Sequence, residues 1–212
     1  MIGNFKKSAL YFIPVAALSM LLGACSTSRL VSSWSEPNNQ EKLSKVLVLG
    51  MAKNESVKRV YETTMVKALR DAGADAQEAG TMIPAGTEEN REAIEAAIAD
   101  KGFDSVLVTR MVSKREETYF VPDRPYSVPQ PYYNGFYDYY MRTYPTVYSP
   151  GYLVNDTIVS LETNIYQVKD AKLIWAVVSE SLNPSDINKE VESLSELFIK
   201  QLKKDGLLAS KN

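Results

Sequence analysis

Lys45-Val46-Leu47-Val48-Leu49-Gly50 is a continuous apolar run closed by a glycine. A run of this kind reads as a strand buried on both faces, the habit of central strands in a parallel sheet. Just beyond it, Val57, Val60, Tyr61, Thr64, Ala68, Leu69 and Ala72 recur at helical spacing. Asn54 or Ser56 can cap that helix, and Gly73 follows its end. A short strand is expected over 74–78. Thr87 then opens a second helix as cap, with Glu88 and Glu89 placed where first-turn acids favour the helix dipole. Ile94, Ala97 and Ile98 form its apolar stripe and Gly102 closes it. Val106-Leu107-Val108, within 104–112, is a second buried strand. The order is β-α-β-α-β, and the right-handed crossover rule favours a parallel core with helices packed on it.

The second half follows another pattern. Over 156–168 the chain alternates, with Val159, Leu161, Thr163 and Ile165 on one face. Lys169-Asp170-Ala171-Lys172 is a tight connection, and 173–181, containing Trp175, returns as the paired strand of a hairpin. A last helix is expected over 186–204, with Ile187, Val191, Leu194, Phe198 and Leu202 on one face, Ser185 as cap and Gly206 at the end. The predicted fold is therefore α/β: β-α-β-α-β, then a β-hairpin and a C-terminal helix, forming a mixed sheet with helices packed on it. It occupies residues 45–212 as a single domain.

The N-terminal end reads differently. Met1 to Lys7 carries two lysines and no acid, and the 15 residues from Ser8 to Leu22 are almost entirely apolar. That stretch is short for a membrane span of about 20 residues, and with its basic start it describes an export signal. Leu22-Gly23-Ala24-Cys25 matches the lipobox of bacterial lipoproteins. The reading is a signal peptide over 1–24, cleavage between Ala24 and Cys25, and diacylglycerol plus an N-acyl chain on Cys25. Several chains on one residue hold a membrane far better than one. Ser26 after the cysteine resembles an outer-membrane address, so the expected location is the outer membrane, facing the periplasm. Residues 25–44 are expected to be a lipidated tether. The 19 residues of 26–44 reach at most about 65 Å. Trp34 is unusual for a tether: it either docks on the domain or sits near the membrane interface.

Composition narrows the chemistry. Without Lys6 and Lys7 the chain has 22 bases against 26 acids, a charge of about −4, and no basic patch suggests nucleic acid. It contains no histidine and a single cysteine. This excludes a Ser-His-Asp triad, a Cys-His nucleophile, a histidine zinc site and an internal disulfide. Catalysis would have to rest on carboxylates, lysine or tyrosine, so a non-enzymatic role is expected, with no cofactor beyond the lipid. No phosphate loop or metal-ligand spacing is present.

Residues 119–152 are the most unusual segment. These 34 residues hold 10 of the 13 tyrosines and 6 of the 10 prolines. Long loops of this kind are functional or disordered more often than not. Tyrosine pairs a flat apolar face with a hydroxyl at modest entropic cost, which suits contact surfaces. Tyr132, Tyr133, Phe136, Tyr137, Tyr139 and Tyr140, gathered around Gly135, are the candidate contact residues. Three uses are open: binding an envelope protein or another copy, stacking on sugar rings of peptidoglycan or another glycan, and folding back as a cover on the domain itself.

Several stretches resemble bacterial lipoproteins that carry the domain of unknown function 4136. They are Ser33-Trp34 soon after the lipobox, the run 45–50, Asp104-Ser105-Val106-Leu107-Val108-Thr109-Arg110, the Tyr/Pro insert, and Leu161-Glu162-Thr163-Asn164-Ile165-Tyr166 leading to Lys172-Leu173-Ile174-Trp175. The resemblance implies a family and a fold but no reaction and no catalytic residues. Among the remaining polar residues, Arg110 and Arg115 could hold an anion, though a charged strand end is the plainer reading. Glu88, Glu89 and Glu92 could hold a cation, but helix-start acids explain them. Glu162 and Glu180 could form an acid pair across the hairpin if their registers matched. The expected role is a binding or assembly protein anchored in the envelope. The alternatives are a glycan-binding module and a carboxylate enzyme on envelope polymers.

Overall fold

The computed structural model describes residues 28–39, 41–83, 90–99, 101–121, 135–148 and 151–209. Cys25, Ala24 and the rest of the export signal lie outside these residues, as do Thr87, Glu88, Glu89, Tyr132 and Tyr133.

The fold is mixed α/β, as the sequence predicts. Its elements in chain order are β1 (Ser28–Ser35), β2 (Lys45–Met51), α1 (Glu55–Asp71), β3 (Asp75–Glu78), α2 (Arg91–Ile98), β4 (Ser105–Val121), α3 (Phe136–Tyr148), β5 (Tyr152–Gln167), β6 (Leu173–Leu182) and α4 (Ile187–Lys204). One six-stranded sheet runs in the order β1-β6-β5-β4-β2-β3. β2 is parallel to β3 and to β4, and the pairs on the other side are antiparallel.

The run at 45–50 becomes β2, and its alternation divides the core. Val46 and Val48 face a large cluster with Met65 and Leu69 of α1 and Leu194, Phe198 and Leu202 of α4. Leu47 faces the opposite side, where Ile94 and Ile98 of α2 pack with Phe103. Thus α1 crosses from β2 to β3 over one face, and α2 returns from β3 to β4 over the other. Trp175 anchors the larger core, edge-on to Phe198 at 6.1 Å, while its Nε1 donates to Asp205 Oδ2 at 2.9 Å. That bond gives the buried indole N–H the partner it requires.

Local signals set the helix ends. The Asn54 side chain accepts from the backbone N–H of Ser56 and Val57 and so caps α1. Gly73 beyond its end has φ +96°, a conformation that glycine adopts without steric cost. α4 is capped by Asp186, not Ser185: the Asp186 carboxylate accepts from the N–H of Asn188 and Lys189. α2 runs over Arg91–Ile98 with Glu92 in its first turn.

Two expectations need correction. Residues 28–35 are not tether. They form β1 on the sheet edge, antiparallel to β6, with Ser28 opposite Ser181 and Ser35 opposite Trp175. A serine-rich strand shows no apolar alternation, which is why it reads as linker. Nor does the third core strand stop at Val112. β4 runs on to Val121, paired along its length with β5, which begins at Tyr152 rather than at 156. Both ends of the supposed loop are therefore strand.

Candidate functional site

β6 leaves the sheet at Leu182, opposite Ile158, and β2 leaves it at Met51, opposite Arg110. Beyond these points β4 and β5 continue alone, from Glu116 opposite Thr157 to Val121 opposite Tyr152. This two-stranded ribbon stands off the sheet and carries α3 between its strands. A lone ribbon is marginal in water, and this one is held by side-chain links: Thr118 Oγ1 donates to Asn155 Oδ1 at 2.7 Å and Tyr119 Oη to Asp156 Oδ2 at 3.1 Å. The Asp156 carboxylate raises the Tyr119 phenol above its ordinary pKa. At the ribbon end, a Cβ on Gly151 would lie 2.1 Å from the Phe120 ring and 2.5 Å from the Val121 carbonyl oxygen. Only glycine fits there.

α3 displays four of the six predicted contact residues, Phe136, Tyr137, Tyr139 and Tyr140. Phe136, Tyr140 and Tyr144 follow one another at i, i+4 and i+8, with ring centroids 5.8 Å and 5.2 Å apart. Tyr137 meets Phe136 edge-on at 5.4 Å. Arg142 Nε donates to Asp138 Oδ1 at 2.6 Å, one turn apart, and supports the helix. Phe136 is 68% exposed and Tyr137 82%; Tyr139, Tyr140, Met141 and Tyr144 are also exposed, as are Phe120, Tyr152 and Leu153 on the ribbon. These rings are therefore exposed to solvent and do not act as a cover on the domain. Exposed apolar rings are thus gathered along α3 and the end of the ribbon.

The charged residues singled out from the sequence lie on the sheet face opposite the α1–α4 core, and carboxylates engage them. Arg110 Nη2 is 2.5 Å from Glu162 Oε2. Arg115 spans Glu117 and Glu180, each at 3.0 Å, and Arg29 of β1 reaches Glu180 at 2.9 Å. Glu180 lies opposite Ser160 and Glu162 opposite Val178, so the two acids are not cross-strand partners. Hydrogen bonds from Arg29 and Arg115 hold the Glu180 carboxyl below its usual pKa, the reverse of the shift that a shared-proton acid pair shows. The arginines thus serve as neighbours to these glutamates, and the anion-site reading has no free cation to rest on here. Among the described residues no group of three or more Asp, Glu or Cys side chains is placed to hold a metal ion.

Two buried polar groups were not legible in the sequence as structural devices. Glu62 of α1 accepts from Gly50 N–H at 3.0 Å and Gly80 N–H at 2.9 Å, tying the end of β2 to the loop after β3. The Tyr61 hydroxyl bonds Thr109, which in turn contacts Thr163 at 2.7 Å, and burial pushes the Tyr61 phenol up. Tyr61 stood in the helical spacing read from the sequence, whereas nothing there marked Glu62; the Tyr61 partners come from β4 and β5, and those of Glu62 from the end of β2 and the turn after β3.

No family model matches the chain, and no curated protein matches it. Among solved structures it is similar to the PelC dodecamer from Paraburkholderia phytofirmans, at 14% identity over 87% of this chain and 99% of that one, with a TM-score of 0.47. It is also similar to lipoprotein GNA1162 from Neisseria meningitidis, at 15% identity over 76% of this chain and 99% of that one, with a TM-score of 0.41. A PDZ domain protein from Parabacteroides distasonis matches at 8% identity, covering 87% of this chain and 37% of that one, with a TM-score of 0.39. Likenesses this distant do not transfer a partner or an activity.

Proposed function

We propose that this chain is a non-enzymatic, lipid-anchored envelope protein that binds a protein partner through its ribbon and α3. The observation that supports this reading is the aromatic surface of α3, exposed at the end of a ribbon that the domain core does not need. The lipobox at Leu22–Cys25 and the resemblance to lipoproteins with the domain of unknown function 4136 belong to the same reading. Among the described residues no helix is long and apolar enough to cross a membrane. On this reading β1 shortens the tether. Ser28 already belongs to the sheet, so only Ser26 and Thr27 lie between it and Cys25, a reach of about 10 Å. The domain sits against the bilayer, not at the end of a long tether.

The test is photo-crosslinking in intact cells from a probe at Tyr137. A discrete protein adduct is expected, and co-purification of the crosslinked partner with the chain should be lost when 122–150 is replaced by a short turn between the paired residues Val121 and Tyr152. Association that survives this replacement in a folded domain would overturn the reading. A glycan reading uses the same exposed rings of α3, Tyr137 and Tyr140 among them, since ring stacking on sugars needs exposed aromatic faces. It requires co-sedimentation with purified peptidoglycan that is lost on Tyr137→Ala with Tyr140→Ala.

A further inference from the structure

A cleft of about 700 Å³ lies on the α1–α4 side of the sheet, where the N-terminal halves of the two helices stand apart. Its position has a topological cause. From β2 the chain crosses to β3 on one side through α1, then returns to β4 on the other side of β2 through α2. In open α/β sheets a crevice forms at the carboxyl ends of strands where connections diverge in this way, and ligands bind there. The cleft occupies that place, with Gly50 and Met51 at the end of β2 and Thr109 to Met111 of β4 along its floor.

The lining is mainly apolar. Val57 of α1, Val159 and Leu161 of β5, and Ile187, Val191 and Leu194 of α4 supply its walls. Lys53 and Lys58 also line it. Lys58 pairs with Glu55 only loosely, at 3.9 Å, although the lysine side chain is just 13% exposed. The one acidic lining residue, Glu190, already accepts a hydrogen bond from the Ser28 hydroxyl. The size and lining match small-molecule sites, and the balance of charge favours an anion. Ser28 also contacts Ser181, a second lining residue, at 3.0 Å. On the reading of Cys25 as lipidated, the cleft therefore lies within a few residues of the membrane, where amphiphiles are concentrated.

We propose that this cleft binds a long-chain fatty acid, with the chain against the Val57, Leu161 and Leu194 walls and the carboxylate at Lys53 and Lys58. The site is separate from the aromatic surface of α3 and does not depend on any partner bound there.

The experiment uses the purified full chain and palmitate carrying a photoreactive diazirine near its tail, with labelled positions mapped by peptide mass spectrometry. Labelling is expected on 187–194 and 157–161, competed by excess palmitate and reduced at least tenfold by Leu161→Trp, which fills the cleft. Lys53→Gln with Lys58→Gln keeps the apolar walls intact, so it tests the head group even if the larger side chain disturbs folding. It should raise the palmitate Kd about tenfold, the loss of a charge-assisted contact, and leave hexadecanol binding unchanged. Labels confined to α3 and the ribbon, or no competed label, would overturn the proposal. So would labelling seen only in Cys25→Ala, because the chain's own acyl groups would then be the occupant. Crosslinking from Tyr137 reports on the aromatic surface separately, so either reading can fail without the other.

Discussion

β4 belongs to two regions that behave differently. From Ser105 to Met111 it is a central strand between β2 and β5, with Leu107 fully buried. From Glu116 to Val121 the same strand has a single neighbour and is largely exposed. The first part is stabilised by burial of apolar area, about 25 cal/mol per Å². The second has little to bury and is held by cross-strand pairs worth a few tenths of a kcal/mol each. One strand is thus both scaffold and arm, and the arm carries little of the burial that stabilises the core.

The largest expected effect breaks the core side. Phe198→Ala removes the ring that packs on Trp175 and should cost about 3–5 kcal/mol, seen as a lower urea midpoint. Tyr137→Ala should stay within about 0.5 kcal/mol. A comparable loss from Tyr137→Ala would mean that the arm is part of the core. Glu62→Ala comes next. It leaves the Gly50 and Gly80 N–H groups without their acceptor and should cost about 1–3 kcal/mol, with Glu62→Gln milder because one oxygen remains; thermal melts of the pair check this. Ala171 has φ +54° in the β5–β6 turn. Ala171→Gly relieves that strain and should raise stability by about 1 kcal/mol, measured as a rise in Tm.

Smaller effects sharpen the contrast at the sheet surface and the ribbon. Because Glu180 binds its proton less readily in the folded protein than in the unfolded chain, its contribution is complete above the ordinary carboxylate range. It is lost as pH falls through the lowered folded value. Wild type should therefore lose its advantage over Glu180→Gln on acidification below that range, read from urea midpoints across pH. Gly151→Ala should speed amide exchange along 116–121 and 152–157 while leaving exchange in β2 and α4 unchanged. Slowed exchange at the same amides would show that the ribbon tolerates a Cβ beside Phe120.

Apolar periodicity made the core legible. The run at 45–50, the helical spacing from Val57 to Ala72 and the alternation from Val159 to Ile165 each carry their own pattern, because burial on a regular element imposes a period. β1 and the outer half of β4 carry no such pattern. They are strands because a neighbour supplies hydrogen bonds, and their side chains remain polar or exposed. Among the candidate contact residues, Phe136, Tyr137, Tyr139 and Tyr140 were legible from composition as an unusual surface. That they lie on a helix, and that their rings face outward, was not.

By itself the sequence determined the α/β class, the order of the core elements, the absence of histidine chemistry and the aromatic character of the insert, because these follow from local periodicity and residue type. The tertiary structure alone decided that residues 28–35 close the sheet edge, that Arg110 and Arg115 meet glutamates from other strands, and that a cleft opens between α1 and α4 at the ends of β2 and β4. Those features depend on which strands become neighbours, a choice made by packing between segments far apart in the chain, and no local pattern records it.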